Sequence, residues 1–122
     1  MPVEFESDQS IDLTIVTITG VPTFDEILAV VETFYGGQPT KKVIWNWGES
    51  DPSQLTPTDL ERLANLPVRH SGLRQDGKTA MVAPDDLSFG ISRMFETFGE
   101  PESLPFTLKV FHNLGDALKW IA

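Results

Sequence analysis

Cysteine does not occur anywhere in this chain of 122 residues. That excludes disulfides, thiolate metal sites and cysteine nucleophiles, and it is a composition that a reducing cytosol permits. Basic residues are scarce. Nine Lys and Arg stand against 18 Asp and Glu, for a formal net charge of −9. Nucleic acid and anionic lipid bind basic surfaces by releasing counterions, so an acidic domain begins against that gradient. Lys41, Lys42, Arg62, Arg69, Arg74 and Lys78 are interspersed with Asp59, Glu61 and Asp76. No basic patch interleaved with aromatics results, and nucleic acid is not an expected partner. No apolar run approaches the ~20 residues that a membrane helix needs. The opening segment, Met1-Pro-Val-Glu-Phe-Glu, is acidic where a secretory signal is basic and then apolar. A cytoplasmic protein without a membrane span is the expectation.

Nucleotide and hydrolase signatures are also missing. There is no Gly-x-Gly-x-x-Gly after a strand, no P-loop and no Gly-x-Ser-x-Gly elbow. Neither a cofactor nor an enzymatic activity is expected on these grounds.

What is present suits one globular domain spanning residues 1–122, with 40% hydrophobic and 22% charged residues. Residues 5–9 read as a short edge strand and residues 11–19 as a β-branched strand closed by Gly20. Thr23 with Glu26 has capping-box spacing. Phe24, Ile27, Leu28, Val31 and Phe34 then form one helical stripe, which Gly36-Gly37 stops. In the strand over residues 41–47, Val43, Trp45 and Trp47 share one face, with Ile44 and Asn46 on the other. A polar loop leads to Thr56-Pro57-Thr58-Asp59, an N-cap, a first-position proline and a capping-box acid. Residues 79–83 look like an interior parallel strand. A helix begins at Asp85-Asp86 and carries Leu87, Ile91, Met94, Phe95 and Phe98; a strand covers 106–111. A last helix over 114–122 is expected to bury Leu114, Ala117, Leu118 and Ile121. Alternating elements of this kind predict an α/β fold with a four- or five-stranded, mostly parallel mixed sheet flanked by about four helices.

The chemistry-bearing side chains each have structural employment. His70 and His112 sit near element ends without a metal-pair spacing. Asp85-Asp86, and Glu49 with Asp51 and Asp59, are either oxygen ligands for a cation or helix caps and loop solvation; caps are the ordinary use. No metal site is expected. Ser50, Ser53, Thr56 and Thr58 surround a helix start, where an added phosphate would find free N–H groups and a favourable dipole. Ser53 and Thr56 are the candidate phosphorylation positions. Trp45, Trp47, Phe95 and Phe98 either line an apolar pocket or fill the core. Phe89, Arg93 and Met94 border the stripe of their helix beside Gly90, a composition typical of an interface centre. A C2 homodimer is the common default for a chain of this kind, and no pattern locates its interface.

The order of elements, the polar loop before Thr56-Pro-Thr-Asp-Leu, the segment Ala83-Pro-Asp-Asp-Leu-Ser-Phe-Gly-Ile-Ser-Arg-Met-Phe-Glu and the closing Asp116-Ala-Leu-Lys-Trp-Ile resemble the SpoIIAA-like proteins of the STAS superfamily. The resemblance runs from about Ile11 onward. It implies a bacterial, cytoplasmic, single STAS-like domain whose best understood relatives are anti-sigma factor antagonists. Those bind a kinase-type anti-sigma factor and are switched by a serine phosphate at the start of the helix after the central strand. The matching region here, residues 48–59, departs from the family's Asp-Ser-Ser-Gly pattern. A regulatory protein-interaction domain is the expectation. Some similar domains bind apolar molecules, so a small lipid-like ligand is the alternative.

Overall fold

The computed structural model describes residues 3–37, 40–51, 54–56, 58–59, 62, 77–83, 90 and 106–122. They form a five-stranded sheet whose spatial order, β1-β2-β3-β4-β5, is also chain order. The strands are β1 (Val3–Asp8), β2 (Leu13–Gly20), β3 (Lys42–Ser50), β4 (Gly77–Val82) and β5 (Phe106–Phe111). β1 runs antiparallel to β2, and the remaining three pairings are parallel. The hairpin explains the exception. Only the residues 9–12 separate β1 from β2, whereas a parallel partner needs a crossover. Two helices are described, α1 (Phe24–Gly36) between β2 and β3, and α2 (Leu114–Ile121) after β5. The α/β class and the mixed sheet are as expected. Of the two other expected helices, residues 58, 59, 62 and 90 are helical and the rest lie outside the described residues.

Local chemistry sets the element boundaries. Asp8 Oδ1 accepts from both the backbone N–H and the hydroxyl of Ser10, and those bonds hold the Asp8 carboxyl below its usual range. Asp12 follows at φ 55, a left-handed conformation that Asp adopts more readily than most residues. Its carboxylate accepts from Lys41 N–H at 3.1 Å, and its carbonyl from Lys42 N–H at 3.1 Å. This turn moves the strand start. Ile11, expected in β2, sits in the turn with 52% of its surface exposed, and β2 begins at Leu13.

Thr23 caps α1 with both bonds of a capping box. Glu26 N–H donates to its hydroxyl at 3.3 Å, and Thr23 N–H donates back to the Glu26 carboxylate at 3.0 Å. Gly37 closes the helix. A Cβ there would meet the Thr33 carbonyl at 3.3 Å, so a larger residue would crowd the last turn.

Each face of the sheet has its own core. On one side Ile27, Val31 and Phe34 of α1 pack on Val3, Val16, Ile18, Val43 and Trp47, with Leu55 added from the β3–β4 connection. On the other, Ala117 and Ile121 of α2 pack on Leu13, Ile44, Ala80 and Val82. Leu118, expected inward, is 39% exposed, and Trp120 packs against this core instead.

Two buried polar features fall on the α1 side. Thr14 and Thr40 are both fully buried. Thr40 spends its single proton on the Lys42 carbonyl, 2.7 Å away, so the 2.9 Å bond between the two threonines has Thr14 as donor. Thr14 in turn accepts from Ser7 at 2.7 Å. The chain of hydroxyls ties β1, β2 and the start of β3 together. Thr79 is different: its hydroxyl is buried without a hydrogen-bond partner among the described residues. Valine keeps the branched shape and removes the unpaired oxygen, so Thr79→Val is expected to raise stability by about 1 kcal/mol in urea unfolding.

Candidate functional site

The parallel strands β2 to β5 end along one edge, and in open α/β sheets ligands bind outside the carboxyl ends of the strands. β3 supplies its centre. Beside β2, the register shifts between Thr17 and Thr19: Thr17 faces Asn46, while Thr19 faces Glu49, so β3 carries one extra residue at Trp47-Gly48. Such a bulge bends a strand and re-aims its end. Side chains of β3 itself hold it. Gly48 N–H donates to Asn46 Oδ1 at 3.0 Å, and the Ser50 hydroxyl donates to the Trp47 carbonyl at 2.7 Å. Ser50, one of the hydroxyls near the expected helix start, is thereby a strand-end fastener. Asp51 N–H then donates to the carbonyl of Gly20, which sits at φ +64 where β2 ends.

Beyond the bulge the chain reaches Leu55, which is buried, and Thr56, which is exposed. Thr56 and Asp59 form a second reciprocal cap. Asp59 N–H donates to the Thr56 hydroxyl and Thr56 N–H to the Asp59 carboxylate, both at 3.1 Å. The Thr56 hydroxyl is therefore an acceptor in the cap, beside a carboxylate. A phosphate on Thr56 would meet the negative Asp59 side chain and break the box. Replacing Thr56 with alanine removes the same cap and is expected to cost about 1 kcal/mol, measured by thermal or urea unfolding.

Trp45 and Trp47 share the α1 side of β3, as the alternation predicted. Their rings lie 6.4 Å apart, inclined by 24°. Trp47 is 3% exposed and belongs to the core; Trp45 is half-buried against it. The Trp47 ring N–H is buried with no acceptor among the described residues. Arg62 extends over the ring of Phe24, with its guanidinium carbon 4.8 Å from the centroid, fastening the β3–β4 connection to the start of α1. His112 is exposed just before Asn113, and Asn113 rather than the histidine caps α2 by accepting from Asp116 N–H at 2.8 Å. Among the described residues no three His, Asp or Glu side chains are grouped to hold a metal ion. No described helix is long and apolar enough to cross a membrane.

Ser53, His70, Asp85, Asp86, Phe89, Arg93, Met94, Phe95 and Phe98 lie outside the described residues. Gly90, between the proposed interface residues, is helical and exposed.

One feature went unnoticed in the sequence. An open cleft of about 370 Å³ runs between β1 and α1, lined by Val3, Phe5, Asp25, Glu26, Ala29, Val30 and Thr33. Its signal was available. Ala29 and Val30 are apolar positions off the main stripe of α1, and Val3 and Phe5 alternate with Glu4 and Glu6.

No family model, curated protein or solved structure matches this chain.

Proposed function

We propose that this chain is a non-enzymatic regulatory interaction domain of the SpoIIAA-like, anti-sigma factor antagonist type, acting on a protein partner from the carboxyl edge of its sheet. The carrying observation is the delivery of a capped helix start, Thr56 to Asp59, by the bulged end of β3 at that edge. This is where the relatives implied by the resemblance carry the serine phosphate that switches their binding to a kinase-type anti-sigma factor. The five-stranded mixed sheet supports the same reading, as does the Pro84-Asp-Asp-Leu-Ser-Phe-Gly segment after β4. In this reading Phe89, Arg93 and Met94 supply the partner-facing patch, and Ser53 or Thr56 the modification point.

The test uses purified kinase-type anti-sigma factors from the source organism, titrated against the full chain by calorimetry. Binding that Phe89→Asp abolishes, with the fold retained by circular dichroism, supports the proposal. Failure of every such factor to bind at concentrations near those of the cell overturns it. Incubation with ATP followed by mass spectrometry reads the switch. A phosphate at Ser53 or Thr56 that changes affinity establishes it, and equal binding by Glu and Ala replacements there removes it.

A second reading is a carrier for a small apolar molecule, favoured by the half-buried Trp45 stacked on Trp47. Native mass spectrometry of freshly purified protein tests it. A bound mass of lipid-like composition supports the carrier, and a clean ligand-free mass argues against it.

A further inference from the structure

The cleft beside β1 lies along the edge of the sheet. Among the described residues β1 is an edge strand that pairs with β2 alone, and edge strands are where a further strand can add to a sheet. The two faces of that strand differ in chemistry. Val3 and Phe5 turn towards α1 and line the cleft, while Glu4, Glu6 and Asp8 alternate with them and are exposed. Across the cleft, α1 presents Asp25, Ala29 and Thr33, an exposed row at four-residue spacing, with the half-buried Val30 behind it.

A strand added to this edge would place alternate side chains on opposite faces, because the side-chain period of a strand is two. One set would enter the apolar cleft between β1 and α1. The other would lie beside Glu4, Glu6 and Asp8. A second copy of this chain is a poor occupant. Pairing β1 with β1 would align two acidic rows, and like charges on facing strands are destabilising. A net charge of −9 on each copy adds long-range repulsion. The same carboxylates attract a segment of opposite charge.

We infer that the β1 edge and the β1–α1 cleft form a docking site for an extended segment of another protein in which apolar and basic residues alternate. The segment binds by strand addition, its apolar side chains entering the cleft and its basic ones facing the Glu4, Glu6 and Asp8 row. The site is separate from the carboxyl edge of the sheet and does not depend on the regulatory partner proposed above.

The probe is a fluorescein-labelled peptide, Lys-Val-Lys-Phe-Lys-Val-Lys-Val, titrated into the full chain and followed by anisotropy. The comparators are a peptide of the same composition with all lysines first, and the alternating peptide with Glu for Lys. The alternating basic peptide is expected to bind at least about tenfold more tightly than either, a difference of about 1.4 kcal/mol. Hydrogen exchange is expected to slow at β1 amides on its addition. Glu6→Lys on the strand and Ala29→Lys at the cleft change exposed positions, so both proteins should melt like the parent and bind the peptide more weakly. Equal affinity for the two lysine peptides would reduce the effect to bulk charge and overturn the site. Unchanged exchange in β1, or undiminished binding by both variants, does the same. A peptide-free dimer in sedimentation with β1 already protected makes a second copy the occupant and also overturns it. None of these readouts uses an anti-sigma factor, so failure here and failure of the regulatory proposal are told apart.

Discussion

Trp47→Ala is expected to lose about 3–5 kcal/mol of unfolding free energy, the range for truncating a core aromatic. A domain of this size has about 5–15 kcal/mol in all, so the variant should sit near the edge of folding. Three features put the effect at the top of the range. Trp47 is 3% exposed, it joins β3 to Ile18, Ile27 and Leu55, and its backbone forms the bulge that aims the end of β3. Phenylalanine provides the contrast. Among the described residues the buried Trp47 ring N–H has no acceptor, and an unpaired buried donor costs about 1–3 kcal/mol. Trp47→Phe sheds that penalty while losing part of the ring, so the two changes offset and stability should stay within about 1 kcal/mol of the parent. Urea titration of the three proteins decides it. A loss with phenylalanine as large as with alanine would mean that the indole N–H carries no penalty in the parent protein.

Trp120→Ala and Leu118→Ala should differ sharply although they are two residues apart on α2. Trp120 packs on Phe111 with ring centroids 5.6 Å apart. The Lys78 ammonium lies 5.4 Å from its ring centroid and donates to the Trp120 carbonyl at 3.3 Å. An aromatic pair adds about 0.5–1.5 kcal/mol beyond its burial, and a cation over the ring about 0.5–1 kcal/mol where exposed. Trp120→Ala is therefore expected to cost about 2–3 kcal/mol when half-burial of the ring is included. Leu118 is 39% exposed, and Leu118→Ala should change stability by less than about 0.5 kcal/mol. Matched thermal melts check the pair. A larger loss at Leu118 would mean that α2 is rotated from the phase described.

The contrast also marks where sequence reading reached its limit. Leu114, Leu118 and Ile121 have the spacing of a buried stripe, and leucine outranks tryptophan as a fully buried residue. The actual stripe is Leu114, Ala117, Trp120 and Ile121, chosen by contact with Phe111 and Lys78, residues of β5 and β4. Ile11 failed as a strand residue for a related reason. Its β-branched side chain suits a strand, but the turn locked by Asp8, Ser10 and Asp12 takes precedence. In β3 the alternation of Val43, Trp45 and Trp47 against Ile44 and Asn46 was legible, but the bulge after Trp47 was not, since it arises from register against β2. At the carboxyl edge the cap at Thr56 was readable. That its hydroxyl accepts a bond beside the Asp59 carboxylate is a matter of geometry.

The sequence by itself determined the features that act over three or four residues. These are the two capping boxes, the Gly36-Gly37 stop, the existence of the strands, and the net negative charge. Those rules hold wherever the segment is placed. The tertiary structure decided what depends on partners distant in the chain: which residues face α1 or α2, and the cleft between β1 and α1. Both faces of the sheet are covered, so hydrophobicity along β2 and β3 marks two interiors at once and cannot assign a side. The cleft depends on how far α1 stands from an edge strand, a distance no local pattern encodes.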